Sequence, residues 1–200
     1  MKKSFAALIC VFLILSLAGC SLVPLPSGKD SSSALANPTQ SNSDSPVADN
    51  DSPVEDEIVL DAGKFDITVP KGYHLANDLI PEGSDITAAI TDKFDNIGLL
   101  FVEESISSFE GSAVESLDDY LEAQQSFSTG EDISSIQEKN GIKYFTYTFY
   151  NEELDYTYKY YTTAIETETS YWSLQGFCMV NQYDNYEPKF ESWFKSIQFH

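Results

Sequence analysis

The feature that most constrains the fold is a succession of three aromatic and β-branched segments near the C-terminal end. They span residues 142–150, 154–166 and 171–180, and short acidic turns separate them. Asn140-Gly141 stands directly before the first, and this dipeptide is the strongest short-range signal for a tight β-hairpin. Strands joined by short turns pair in an antiparallel manner. The pattern therefore predicts a long antiparallel meander.

Strand patterns also occur earlier in the chain. Four segments precede any helix and a fifth stands before Asn140-Gly141: residues 58–60, 65–69, 86–91, 97–103 and 133–138. The first two flank Ala62-Gly63, and the next two flank a polar turn, so each pair predicts a hairpin.

Two helices are predicted. Ser116 is a suitable N-cap, and Asp118 and Asp119 follow it at the positive end of the helix dipole. This helix is expected to end near Gly130. The second is expected to carry Pro188 in its first turn, followed by an apolar stripe at i, i+3, i+4 and i+7: Phe190, Trp193, Phe194 and Ile197. The element order predicts an α+β fold, an antiparallel β-sheet of about six to eight strands covered by helices.

Several motifs, in this order, resemble the PsbP-like family of α/β/α sandwiches. They are the segment from Phe65 to Tyr73, the helix start at Ser116–Tyr120, the hairpin start at Asn140–Tyr144 and the final helix 190–197. The resemblance implies helices on both faces of the sheet. It also implies a protein that binds or scaffolds other macromolecules, without catalytic residues common to the family.

Residues 1–19 have the layout of a secretory signal peptide, with Lys2 and Lys3 before an apolar run over 5–17. The run is shorter than the roughly 20 residues that span a bilayer, which favours cleavage. Leu17-Ala18-Gly19-Cys20 resembles the lipobox of bacterial lipoproteins. That resemblance implies that Cys20 becomes the first mature residue, with a diacylglycerol on its sulfur and an acyl chain such as palmitate on its amino group. The alternative is an uncleaved signal anchor in which Cys20 is incidental.

A change of composition divides the rest of the chain. Residues 20–56 are rich in Ser, Pro and Asp, with few large apolar residues, which predicts a disordered tether behind the lipidated Cys20. Residues 57–200 carry the strand and helix patterns and are expected to form the single PsbP-like α+β domain.

The charge of the chain limits its partners. The formal net charge is −21, and every cationic residue is a lysine. Neutralising nucleic-acid phosphates needs a basic patch, so no nucleic acid is expected as a partner. Anionic headgroups would repel this chain, so the expected membrane contact is the lipid on Cys20.

No catalytic, cofactor or metal motif is found. His74 and His200 have no motif neighbours, and the common hydrolase, zinc and nucleotide signatures are absent from the sequence. Cys178 lies within an apolar segment, where a thiol usually packs in a core. The turns containing Asp92, Asp95 and Asn96, or Glu152, Glu153 and Asp155, could bind calcium, but chance clustering of acids is the favoured interpretation. We therefore predict no cofactor, no metal and no enzymatic activity.

The tyrosine-rich segments carry aromatic residues on both strand faces. Tyr147, Tyr158 and Tyr160 are the candidate interaction surface, because exposed tyrosines are enriched where proteins dock. The favoured alternative is cross-strand packing beneath helices on both faces, which needs no partner.

Together these features predict a lipid-anchored lipoprotein on the extracytoplasmic face of a bacterial membrane, where it binds or scaffolds an envelope protein. The alternative is an enzyme or a calcium-dependent binder that acts on cell-wall or extracellular material. An exposed aromatic groove would favour the binding module. A buried carboxylate facing His74 or Cys178 in a cleft would favour catalysis.

Overall fold

A computed structural model describes residues 56–94, 96–152 and 154–200. These residues form ten strands: β1 Glu57–Asp61, β2 Phe65–Pro70, β3 His74–Leu75, β4 Ile86–Thr91, β5 Gly98–Ser105, β6 Gln137–Lys139, β7 Ile142–Asn151, β8 Tyr156–Glu166, β9 Ser170–Met179 and β10 Gln198–Phe199. They also form two α-helices, α1 Leu117–Phe127 and α2 Tyr183–Lys195, and short 3-10 helices at Asn77–Leu79, Ile106–Phe109 and Val180–Gln182. The predicted α+β class is confirmed.

Seven of the described strands form one antiparallel sheet in the order β3-β4-β5-β9-β8-β7-β6. The number of strands lies within the predicted six to eight, and β7, β8 and β9 form the predicted meander. A second, three-stranded sheet has the order β1-β2-β10. The short β3 and β10 were not predicted, because two residues carry too little pattern to identify a strand.

The hairpin between β6 and β7 follows the expected chemistry. Lys139 pairs with Ile142, so Asn140 and Gly141 form a two-residue loop. Both have positive φ angles, 52° and 79°. A two-residue loop with both central residues at positive φ matches the right-handed twist of the strands, and Asn-Gly accommodates it best.

Helix α1 begins as expected at the N-cap Ser116. Its Oγ accepts the Asp119 N–H at 3.2 Å and donates to Asp119 Oδ2 at 2.7 Å. The helix ends at Phe127, before the expected Gly130. The chain then runs beside β7, where the Glu131 and Thr148 backbones exchange two hydrogen bonds of 2.8 Å. A Cβ on Gly130 would lie 2.3 Å from the Tyr147 ring, so the close approach there suits glycine.

Two sequence expectations are wrong in extent. The strand expected at 133–138 is reduced to β6, because residues before it meet β7 only through separate contacts such as Ser134 N–H to the Thr146 carbonyl at 2.8 Å. Pro188 lies inside α2 rather than in its first turn. The apolar stripe of α2 extends upstream through Tyr186 and the buried Tyr183, and burial of these rings favours an earlier helix start.

Alternation along the strands gives the seven-stranded sheet two faces with separate cores. On the face that we call the α2 face, α2 and the three-stranded sheet cover one continuous cluster that includes Phe101, Trp172 and Leu174. On the opposite face, the α1 face, the buried apolar residues form three smaller clusters, two of which include residues of α1. Both faces are thus covered, as the resemblance implied.

The predictions for residues 1–19, for the tether up to Glu55 and for lipidation of Cys20 lie outside the described residues. No helix among residues 56–94, 96–152 and 154–200 has the length and apolarity needed to cross a membrane.

Candidate functional site

The candidate site is a cleft at the place where β7 separates from β8. The ladder between these strands ends at the pair Tyr144–Thr163. Strand β8 continues to Glu166, and its residues 164–166 pair only with β9. The first two residues of β7, Ile142 and Lys143, pair only with β6, on the side of β7 away from β8. Within the described part of the chain, three residues of β8 therefore lack a strand neighbour on one side.

Two of these residues direct backbone groups towards the open side. The Thr167 N–H donates to the Ser170 carbonyl at 2.9 Å, which is on the β9 side. Backbone groups of successive residues in an antiparallel strand point alternately to its two neighbours. Those of Ile165 therefore point to β9, whereas those of Ala164 and Glu166 point towards the cleft. The cleft thus has hydrogen-bonding groups along its floor.

The walls of the cleft come from both helical layers. Its volume is about 610 Å³. Apolar lining residues come from α1, β7, α2 and the chain end: Leu117, Leu121, Ile142, Phe194, Ile197 and Phe199. The unpaired strand edge along the floor and the apolar side chains of the walls together give the cleft the shape and chemistry of a binding groove.

The rim of the cleft is charged. Lys143 Nζ donates to Asp118 Oδ2 at 2.5 Å, which links β7 to α1, and Lys195 Nζ donates to Glu191 Oε1 at 2.7 Å. The bond to Asp118 raises the pKa of Lys143, and the bonds from Lys195 and then Asn140 lower the pKa of Glu191. Lys143 and Glu191 therefore stay ionised at neutral pH.

The predicted interaction residues lie elsewhere, on the α1 face. Tyr147 and Tyr158 are buried, with 2% and 6% of their surfaces exposed, and Tyr160 is half-buried. The Tyr147 and Tyr160 rings stack at 4.7 Å between centroids, in the cross-strand packing that the alternative described. The exposed tyrosines are Tyr150 and Tyr156, at the tip of the β7–β8 hairpin. A docking role for Tyr147, Tyr158 and Tyr160 stays a prediction.

The structure separates the groups that a nucleophile pair would need. Cys178 is completely buried on the α2 face, and burial raises the pKa of its thiol to about 12. His74 is exposed on the edge strand β3. The thiol therefore stays protonated at neutral pH, in the core position that the sequence indicated.

A half-buried carboxylate, Glu104, forms a hydrogen-bond network that the sequence did not indicate. Its Oε2 accepts the Tyr120 hydroxyl at 2.6 Å and the Gln124 amide at 3.1 Å. Burial raises the pKa of Glu104, and the Asp85 charge adds to this, against the two hydrogen bonds. The sequence could not reveal this network, because its members meet only after α1 packs on the sheet.

Glu104 faces neither of the two candidate catalytic residues. It pairs with Tyr171, seven residues from Cys178 along β9, so alternation places Glu104 and Cys178 on opposite faces. His74 pairs with Thr91 of β4, which in turn pairs with Gly98 of β5. Gly98 lies six residues from Glu104 along β5, a separation of about 20 Å at 3.3 Å per residue. The arrangement that would favour catalysis is therefore not formed by these residues.

The acidic turns differ in how far the structure describes them. Asp95 and Glu153 lie outside the described residues. Asp92 Oδ1 accepts the Asn96 N–H at 2.9 Å, and Asp155 Oδ1 accepts the Tyr150 hydroxyl at 2.8 Å. These bonds give both carboxylates a structural role within their turns.

A different group of possible ligands lies at the edge of the three-stranded sheet. Ligand atoms of Asp61, Asp66 and His200 lie within 4.8 Å of one another. One imidazole and two carboxylates suit several transition-metal ions. Strand pairing, rather than sequence proximity, brings His200 to the two acids, so no local motif could have predicted the group.

Comparison with known proteins gives likenesses of structure. No protein-family model and no curated protein matches the chain. The chain is similar to cyanobacterial PsbP (CyanoP) from Synechocystis sp. PCC 6803, with a TM-score of 0.46 and 8% identity over 77% of this chain and 98% of that one. It is similar to a protein from Bacteroides thetaiotaomicron VPI-5482, with a TM-score of 0.43 and 7% identity over 72% of this chain and 48% of that one.

A third similar structure is LpqN, involved in cell envelope biogenesis of Mycobacterium tuberculosis, with a TM-score of 0.41 and 13% identity over 72% of this chain and 90% of that one. PsbP, whose family the sequence resembles, is thus among the similar structures. At these identities and TM-scores, function and location have to be argued from the chain itself.

Proposed function

We propose that this chain is a lipid-anchored binding module on the extracytoplasmic face of a bacterial membrane, and that it holds an envelope protein in the β7–β8 cleft. The signal-like residues 1–19 and the lipobox-like sequence ending at Cys20 support the anchor. The observation that carries the binding role is the cleft, with apolar walls from both layers and an open strand edge along its floor.

The form of the cleft favours a polypeptide over a small molecule. A strand edge offers regularly spaced N–H and C=O groups, and another extended backbone is the ligand that matches that spacing. The Ala164–Glu166 edge provides this directly below the apolar walls. A small molecule would leave part of the edge unpaired, which costs free energy once water is excluded.

No reaction is proposed for the cleft. Its two lysines, Lys143 and Lys195, are held in ion pairs with carboxylates, which leaves them poorly placed to act as a base or nucleophile. The Lys143–Asp118 bond instead connects β7 to α1, and the bond from Asn140 to Glu191 connects the β6–β7 loop to α2. This supports a rigid docking groove.

Co-purification tests the proposal. Full-length tagged protein is expressed in its own host and purified from detergent-solubilised envelopes, and a co-purifying protein is identified by mass spectrometry. Ile142→Glu places a charge in the cleft, and Val59→Glu makes the same kind of change on the exposed outer strand β1. We expect Val59→Glu and Cys20→Ala to retain the partner after solubilisation, and Ile142→Glu to retain at least tenfold less.

Equal retention by a folded Ile142→Glu protein would contradict docking in the cleft. Loss of the same partner from folded Tyr147→Ala/Tyr158→Ala protein, with Ile142→Glu unaffected, would move the site to the tyrosines. Release of the partner by a calcium chelator would favour the calcium-dependent alternative.

A further inference from the structure

We propose that the occupant of the cleft is an extended segment of the partner, which pairs as a short strand with residues 164–166 of β8 and carries a Lys or Arg beside Glu138 and Glu166. This inference rests on the proposed function and specifies the chemistry of its partner. It follows from the open edge, from the two walls above that edge and from the charges on the rim.

The open edge of β8 is an interruption within the sheet. Over residues 156–163, β7 fills the corresponding side of β8. Beside β7, in turn, lie β6 and the contacts from Glu131 and Ser134. The gap is therefore confined to residues 164–166, about 10 Å at 3.3 Å per residue. An added strand of three or four residues would pair with this open part of β8.

The two walls determine which side chains that strand carries. Side chains of a strand alternate between the faces of its sheet. One set would meet Leu117 and Leu121 of α1, and the other would meet Phe194 of α2 and Phe199 of β10. Because the strand would be covered on both faces, we expect consecutive apolar residues, as in strands buried on both sides.

The rim determines the charge beside this apolar segment. Glu138 lines the cleft next to Lys143, which is ion-paired with Asp118. Glu166 lies at the end of the floor of the cleft. Within the described part of the chain, neither glutamate has an ion pair. The whole chain has a net charge of −21. A cationic residue flanking the apolar segment is the complementary partner, and its contribution should weaken as salt rises.

Site-specific photo-crosslinking in envelopes tests this inference with the full-length lipidated protein. A photoreactive residue replaces Lys195 at the rim or, as a control, Val59 on β1, and the crosslinked segment is sequenced by mass spectrometry. The yield is then compared in Glu166→Pro, Glu166→Gln and Glu166→Lys backgrounds. Proline removes an N–H on the open edge and leaves the β9 side unchanged, a position where edge strands tolerate proline.

We expect one extended apolar segment with an adjacent Lys or Arg, crosslinked from position 195 and not from position 59. Its yield should fall at least tenfold in Glu166→Pro, at least fivefold in Glu166→Lys and about twofold in Glu166→Gln. Glu166→Lys keeps the backbone N–H, so it tests the charge even where Glu166→Pro fails to fold.

The results separate the two proposals. An undiminished yield in folded Glu166→Pro, or a crosslinked helical segment, would overturn strand pairing. An undiminished yield in Glu166→Lys, or a crosslinked acidic segment, would overturn the cationic flank. In each of these cases a crosslink confined to position 195 would leave the proposed function standing. Absence of any crosslink from position 195, together with no cleft-dependent co-purification, would overturn both.

Discussion

The two faces of the seven-stranded sheet are covered in different ways, although the same strands form both. On the α2 face, α2 and the three-stranded sheet cover one cluster of 18 buried residues among those described. On the α1 face, the described buried apolar residues divide into clusters of five, three and three. Between these lie polar groups, among them Glu104 and the unpartnered hydroxyls of Thr162 and Ser173. The doubly covered face carries the larger continuous core, although the buried hydroxyl of Tyr183 is unpartnered there as well.

The cleft lies at the place where these two coverings meet. Its walls come from α1 on one side and from α2 and β10 on the other, at the end of β8 that β7 leaves open. Stability should therefore reside mainly on the α2 face, and binding at the edge where the two layers meet. The following variants test this division.

The largest expected effect compares matched leucines on the two faces. Leu174 is completely buried on the α2 face, and Leu100 is buried, with 9% exposed, on the α1 face. We expect Leu174→Ala to lower the free energy of unfolding by about 4 kcal/mol and Leu100→Ala by about 2 kcal/mol, because a tightly surrounded site collapses less around the cavity. Urea denaturation at pH 7 measures both. Equal losses would show that the faces contribute equally.

The N-cap of α1 gives an intermediate effect. Ser116→Ala removes the acceptor for the Asp119 N–H and should lower the free energy of unfolding by about 1 kcal/mol. The control is Ser126→Ala, at an exposed position within the same helix, where alanine has the higher helix propensity. A loss in Ser126→Ala as large as that in Ser116→Ala would argue against a specific capping contribution.

The unpartnered hydroxyl of Thr162 predicts an effect of opposite sign. Thr162→Val removes a buried group that has no hydrogen-bond partner, so the free energy of unfolding should rise by about 1 kcal/mol. Thr163→Val is the matched control, because the Thr163 hydroxyl donates to the Lys143 carbonyl at 2.7 Å and its loss should destabilise. Destabilisation by Thr162→Val would instead indicate an ordered water under α1.

The smallest effect concerns pH. The pKa of Glu104 is raised in the folded state, chiefly by burial, so its ionised form opposes folding. Its contribution to stability therefore improves as pH falls through the raised folded value and is complete below the ordinary value of 4.5. Glu104→Gln should remove this component, and thermal unfolding of both proteins from pH 4 to pH 8 measures the difference. Identical pH profiles would contradict the burial argument.

Local sequence signals predicted local structure well. Asn140-Gly141 and Ser116 predicted their hairpin and helix start, because each supplies the backbone conformation or the acceptor that the element needs at that point. The helix start predicted from Pro188 is wrong, because burial of Tyr183 and Tyr186 outweighs the missing backbone N–H of one proline. The end of α1 was placed too late, since the pairing of Glu131 with Thr148 has no local signal.

The candidate site was not predicted from sequence. It arises because β8 continues beyond Thr163, the residue at which its pairing with β7 ends. A strand pattern in the sequence does not show where the neighbouring strand stops pairing. Tyr147, Tyr158 and Tyr160 were predicted as a docking surface because tyrosine chemistry suits docking. Their exposure, however, depends on the packing of α1 and on cross-strand stacking. Glu104 and the group of Asp61, Asp66 and His200 likewise depend on contacts between distant segments.

Amide hydrogen exchange of the full-length protein, with and without its co-purified partner, tests the location of binding most directly. We predict slower exchange on binding in residues 163–167, which include the open-edge amide of Glu166, and no change in β1. Slower exchange confined to β1 or to the Tyr150–Tyr156 hairpin tip, with residues 163–167 unchanged, would contradict binding at the β7–β8 cleft.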